Sequence, residues 1–154
     1  MGAPPPYARS RPLAIEELEL AEPRRGEVRV RIAAAGLCHS DLSVINGDRP
    51  RPLPMALGHE AAGVVEALGE GVTSLAVGDH VIMVFMPSCG SCTFCGEGRP
   101  ALCEPGAAAN GQGTLLGGGL RLSGADGPVR HHLGCSAFAS HASCRGRSRS
   151  SLNA

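Results

Sequence analysis

Four cysteines constrain this chain more than any other feature. Cys89, Cys92, Cys95 and Cys103 follow C-x2-C-x2-C-x7-C, with Gly90, Gly96 and Gly98 between them. Short spacings let tight turns aim several sulfurs at one point. Zinc–sulfur bonds of about 2.3 Å would crowd the four sulfurs within about 4 Å of each other. Thiolates repel at that range, and a divalent cation removes the conflict. Zinc is the first reading of the cluster; two disulfides or inert thiols are the alternatives. Four sulfurs on one ion leave no open coordination position, so such a site would be structural.

The remaining residues must build a core almost without aromatics. The chain has 154 residues, 43% of them hydrophobic but only 3% aromatic. That length predicts one domain, with Val, Leu, Ile and Ala supplying most of the interior. Fourteen basic residues balance 14 acidic ones, which argues against a nucleic-acid binder, because that function needs a basic surplus. All of the basic residues are Arg; a Schiff-base lysine and a P-loop lysine are thereby excluded. No stretch approaches the roughly 20 apolar residues of a membrane helix, and the start lacks the apolar region of a secretory signal. The expectation is a soluble cytoplasmic protein. In that setting seven cysteines point to metal or catalysis more than to disulfides.

Patterning predicts mainly β structure. Glu27 to Ile32 alternates, with Val28, Val30 and Ile32 on one face and Glu27, Arg29 and Arg31 on the other. Cys38 to Ile45 predicts a short helix that Ser40 or Asp41 could cap. His59 to Leu68 reads as a strand with a bulge or a close backbone approach at Gly63, and His80 to Met86 as another. Residues 87–105 form the cysteine lobe, 106–127 a Gly-rich loop, and 128–141 a last strand or two. Short strands separated by Gly and Pro turns suggest a closed or nearly closed antiparallel barrel. From Ser143 the sequence becomes SCRGRSRSSLNA, aperiodic and basic, so 143–154 is expected to be a disordered tail.

A second constellation lies outside the lobe. Cys38-His39-Ser40-Asp41 and Gly58-His59-Glu60 place metal-ligating types on two segments. On residues alone the pair is open: a lone Cys is often a small buried hydrophobe, and a lone His is often a hydrogen-bonded core or surface residue.

GHEAAGVVEALGEGV at Gly58 to Val72, then Gly78-Asp79-His80-Val81, together with CHSD at 38–41 and the four-cysteine lobe, resembles the zinc-containing medium-chain alcohol dehydrogenases. The resemblance covers that family's amino-terminal, GroES-like catalytic domain, here residues 1–142. It implies a mainly β, GroES-like, partly open antiparallel barrel with short helices. It implies that Cys38 and His59 are ligands of a catalytic zinc, and that Glu60 is a carboxylate able to approach that zinc. Asp41 would orient His59, Ser40 would hydrogen-bond the substrate alcohol and pass its proton on, and His39 would lie near the cofactor pyrophosphate. Cys89, Cys92, Cys95 and Cys103 would hold the structural zinc. The implied reaction is alcohol–aldehyde interconversion by hydride transfer to NAD(P), with a small alcohol or aldehyde as substrate.

The chain departs from that pattern in three places. Cys135 and Cys144 do not sit in the context of the family's third catalytic ligand and are not assigned. Ser43 occupies the place of a relay histidine found in some members. No G-x-G-x-x-G stands between a strand and a helix, so no nucleotide-binding domain is expected. The chain therefore reads as the zinc-binding part of a longer oxidoreductase, truncated and inactive alone, its basic tail a possible frameshift product. Two other readings stay open. One is a stand-alone zinc-binding or interaction module without catalysis. The other is a redox thiol protein using Cys89 and Cys92, although the βαβ surroundings of such motifs are missing.

Overall fold

Strand β2 (Glu27–Gly36) organises the domain. The computed structural model describes residues 12–146. Ahead of β2 lies the short β1 (Glu19–Leu20); after it come helix α1 (His39–Asn46), β3 (Met55–Ala56), β4 (Glu60–Leu68) and β5 (His80–Met83). The cysteine lobe carries α2 (Thr93–Gly96) and a 3-10 turn (Pro100–Leu102), followed by α3 (Glu104–Gln112), β6 (Leu122–Gly124), β7 (Gly127–His131) and β8 (His141–Arg145).

The strands form two open four-stranded sheets, ordered β5-β4-β2-β8 and β1-β6-β7-β3. All pairs are antiparallel except β3 with β7. The expected mainly β architecture is present, and the sheets do not close on one another as a barrel. Two-residue strands such as β1 and β3 offer too little ladder to close a ring.

The core follows from the alternation in β2. Val28 and Val30 are buried with Val65 of β4, and Ile32, Val72, Leu75, Val81 and Cys144 pack around them. Ala61, Met83, Cys135, Ala137 and Ala142 form an adjoining cluster. At roughly 25 cal/mol per Å² of apolar surface removed from water, such burial is the main favourable term. Gly63 shows the expected close approach: a Cβ there would collide with the Arg31 carbonyl and lie 2.6 Å from Val30 Cγ1. The β2–β4 register also shifts between Arg29 and Val30 and between Ile32 and Ala34.

Four expectations need correction. Glu27 is buried rather than on a solvated face, because Arg121 pairs with it. Cys38, not Ser40 or Asp41, is the N-cap residue of α1, and it makes no side-chain cap bond; Asp41 instead sits buried in the first turn. The 106–127 segment holds a helix and a strand. Its helix α3 has Pro near its start, Cys103 Sγ accepting from Gly106 N, and Gly113 at φ 67 as its stop, which are ordinary helix boundaries. Finally, 143–145 do not open a disordered tail. They complete β8, with Ser143, Cys144 and Arg145 opposite Arg29, Val28 and Glu27. Backbone pairing satisfies the outer edge of β2 whatever the side chains are. Residues 147–154 lie outside the described residues. Among the described residues, no helix is long and apolar enough to cross a membrane.

Candidate metal centre

The end of β2 and the start of β4 lie side by side, Gly36 opposite Glu60. Cys38 leaves β2 two residues after Gly36, and His59 enters β4 one residue before Glu60. Sheet pairing therefore brings together segments 20 residues apart by the numbering of Cys38 and Gly58. Cys38 Sγ, a His59 ring nitrogen and a Glu60 carboxylate oxygen all lie within 4.8 Å of one another.

His59 is held from behind. Its Nδ1 lies 3.3 Å from both carboxylate oxygens of Asp41, and its Nε2 is 4.0 Å from Glu60 Oε1. With Nδ1–H donating to Asp41, the Nε2 lone pair is free for a cation, the usual arrangement of a metal-bound histidine. Gly58 makes this turn possible. Its φ is +92, and its N–H donates to Asp41 Oδ1 at 3.1 Å. The edge of Phe85 closes one side of the imidazole, with centroids 6.2 Å apart. Asn110 Nδ2 on α3 in turn donates to the Phe85 carbonyl at 2.9 Å.

Sequence reasoning missed His132, which follows β7. It is fully buried, its Nδ1 is 3.0 Å from Asp41 Oδ1, and its ring meets His59 edge-on at 5.3 Å. Asp41, His59 and His132 form a second group with ligand atoms within 4.8 Å. Burial pushes the His132 pKa down to about 4 against the opposing pull of Asp41, so it is neutral at physiological pH. The only sequence signal was the pair His131-His132 after a strand, which names no partner.

The other anticipated residues fall in two groups. Ser40 Oγ lies 3.7 Å from Cys38 Sγ, beside the site. His39 points to solvent, with its Nδ1 3.3 Å from Ser43 Oγ, and touches none of the candidate ligands. Cys135 and Cys144 belong to the core, and burial pushes both thiols up to about 12, so they remain protonated. An open, mostly apolar cleft of about 510 Å³ covers His59 and Glu60, walled by Ala34, Ala35, Ile82, Val84 and Phe85. A larger cavity of about 940 Å³ lies between the first strand and α1; none of the three candidate ligands lines it.

The four cysteines of the lobe also converge, with sulfurs within 4.8 Å of one another. Backbone N–H groups aim at them: Cys92 N at Cys89 Sγ (3.3 Å), Cys89 N at Cys103 Sγ (3.2 Å) and Gly106 N at Cys103 Sγ (3.4 Å). Donors of this kind stabilise thiolates. The N–H groups of Ser91 and Cys92 draw the Cys89 pKa down to about 6, whereas burial pushes Cys95 up to about 11. Four sulfurs with donors directed at them suit a tetrahedral, soft-ligand cation, with zinc the best match. The Cys38, His59 and Glu60 set suits zinc as well, with three protein ligands and an open position.

Residues 24–137 match the family profile "Alcohol dehydrogenase GroES-like domain". S-(hydroxymethyl)glutathione dehydrogenase of Candida maltosa is 41% identical over 133 residues, covering 86% of this chain and 35% of the relative. The enzyme of the same name from Escherichia coli O1:K1 is 41% identical over 136 residues, covering 88% and 37%. Among solved structures, an alcohol dehydrogenase zinc-binding domain protein from Burkholderia ambifaria superposes with a TM-score of 0.83 at 44% identity, over 90% of this chain and 38% of that one. Benzyl alcohol dehydrogenase from Acinetobacter calcoaceticus gives 0.72 at 39% identity, over 83% and 34%. The chain thus spans about a third of the length of these relatives.

Proposed function

Because the chain belongs to the alcohol dehydrogenase GroES-like domain family, we propose that it is the zinc-binding catalytic domain of an oxidoreductase that interconverts alcohols and aldehydes by hydride transfer to NAD(P). One piece of geometry supports this most. Cys38, His59 and Glu60 converge from two segments, and a buried carboxylate stands behind the histidine.

In this reading Cys38 and His59 hold a catalytic zinc, and the four lobe cysteines hold a structural one. A zinc held there would supply Lewis-acid chemistry, lowering the pKa of an alcohol bound beside Cys38 and His59. Asp41 accepts the His59 Nδ1–H and keeps Nε2 turned toward Cys38. Ser40, next to Cys38, would accept the alcohol proton on its hydroxyl oxygen while its own hydroxyl proton passes to solvent water. Glu60, whose side chain is half exposed, is free to approach or leave the ligand set. Ala34, Ile82, Val84 and Phe85 give the cleft an apolar lining, and these side chains are exposed in this chain. His39, exposed at the start of α1, would offer a hydrogen-bond donor to the cofactor pyrophosphate. The chain alone is expected to hold zinc without oxidising alcohols.

Metal counting tests the proposal. The reduced chain should bind one zinc tightly in the lobe and a second more weakly. Cobalt substituted at the second site should show a thiolate charge-transfer band that Cys38→Ser abolishes. A single metal per chain, unchanged by Cys38→Ser, would instead make the domain a structural zinc module.

A further inference from the structure

We propose that His132 is a positioning residue for the metal site, pinning the Asp41 carboxylate so that His59 presents Nε2 in one direction. The inference rests on the function proposed above and adds to it a residue that belongs to neither ligand segment.

Three groups face one carboxylate. The Gly58 N–H donates to Asp41 Oδ1 at 3.1 Å, His132 Nδ1 lies 3.0 Å from that same oxygen, and His59 Nδ1 is 3.3 Å from each oxygen. A carboxylate held only by His59 can rotate about its terminal torsion, which is broad and roughly two-fold. Contacts from a backbone amide and a second imidazole remove that freedom. His59 then has one fixed acceptor, and its ring cannot swing.

The backbone of His132 is held in place. Its N–H donates to Ser136 Oγ at 3.0 Å, and its carbonyl accepts from Cys135 N at 3.1 Å and Ser136 N at 3.2 Å. The turn that does this holds Leu133 at φ 50 and Ser136 at φ 57. Two side-chain-bearing residues in the left-handed region within one tight turn are costly, and such strain persists where the surroundings over-determine it. The side chain it fixes is fully buried and perpendicular to His59. Both of its ring nitrogens and Asp41 Oδ2 are buried without a hydrogen-bond partner. At 3.0 Å, a rotation of the ring turns the N–H onto the carboxylate.

The test uses the whole chain with His132→Phe, which keeps a ring but no N–H, and His132→Asn, which restores a short donor. Cobalt titration reads both metal sites in one experiment, with the cysteine lobe as internal control. His132→Phe should weaken the Cys38/His59 site at least about tenfold, the lower end of the effect of losing an outer partner of a metal ligand. The lobe should be unaffected, and His132→Asn should recover part of the loss. Nitrogen NMR of His59 gives a second readout in the metal-free chain. The Nδ1–H tautomer should dominate in the wild type and mix with the Nε2–H form in His132→Phe. Unchanged cobalt affinity together with an unchanged tautomer would overturn the positioning role. If the wild type binds no second metal, the function proposed above fails, and the tautomer measurement still decides whether His132 fixes His59.

Discussion

Arg121 closes a two-pronged ion pair on Glu27, with Nε 2.8 Å from Oε2 and Nη2 2.7 Å from Oε1, and both side chains are buried. Glu27 Oε2 also accepts the Arg24 N–H at 2.9 Å. The pair joins the first residue of β2 to the residue just before β6, and so ties the two sheets together. Breaking one partner of a buried pair leaves the other charge uncompensated, which costs roughly 3–5 kcal/mol. Arg121→Met should destabilise the zinc-loaded chain by about that much in urea unfolding. The double variant Glu27→Leu, Arg121→Met should cost less than the single one. A double variant as unstable as Arg121→Met would show that the guanidinium acts through packing and not through the unpaired carboxylate.

Removal of one lobe cysteine tests the structural zinc. Cys95→Ser leaves three sulfurs, and structural zinc binding is folding energy. Zinc content should fall by about one per chain, and amide exchange protection should vanish from 87–105. The β2–β4–β8 sheet should keep its protection, because its core of Val28, Val30 and Val65 lies outside the lobe. Retained zinc with an unchanged melting temperature would sink the structural role.

Legibility in the sequence followed the range of the interactions. The lobe was readable because C-x2-C-x2-C sets its geometry within a few residues. β2 and β4 were readable because Val28, Val30, Ala61, Val65 and Gly63 report burial and close approach through their own positions. His132 and the Glu27–Arg121 pair were not, because each takes its meaning from a partner far along the chain. Helix α3 was hidden by Gly106 and Gly111, which weaken the pattern without breaking it. β8 was hidden because a strand of small and polar residues is held by its neighbour's backbone. The expected roles of Cys38 and His59 rest on the family resemblance, since residue types alone left them open.

His131 predicts the direction of one pH effect. Burial first, and then the Arg121 charge, lower its pKa from 6.5 to about 4, and its Nε2 accepts the Arg121 N–H at 3.0 Å. Between those two values the unfolded chain carries a proton on His131 that the folded chain does not. Stability therefore rises with pH across the window: the contribution is complete above 6.5, declines as pH falls and levels below about 4. From pH 6.5 to 5 this group alone should remove roughly 2 kcal/mol. His131→Gln should flatten the pH dependence of urea unfolding by that amount, since other acid effects are common to both proteins. Parallel curves for the two would refute the assignment.

Two glycines separate an effect on folding from an effect on the site. Gly63 lies inside β4, where a Cβ would press on the Arg31 backbone and Val30. Overpacking of that kind typically costs about 1–3 kcal/mol, and Gly63→Ala should show it in urea unfolding while leaving the second metal site within about twofold of wild type. Gly58 differs in two ways. At φ +92 an L residue is strained, by roughly 1–2 kcal/mol, and a Cβ would lie 2.5 Å from Phe138 N. Relief of either conflict moves the Gly58 N–H away from Asp41 and carries His59 with it. Gly58→Ala should therefore weaken cobalt binding at Cys38/His59 by about tenfold or more, beyond its effect on stability. Equal metal affinity in the two variants at matched folded fraction would mean that the turn at Gly58 serves the fold and not the metal.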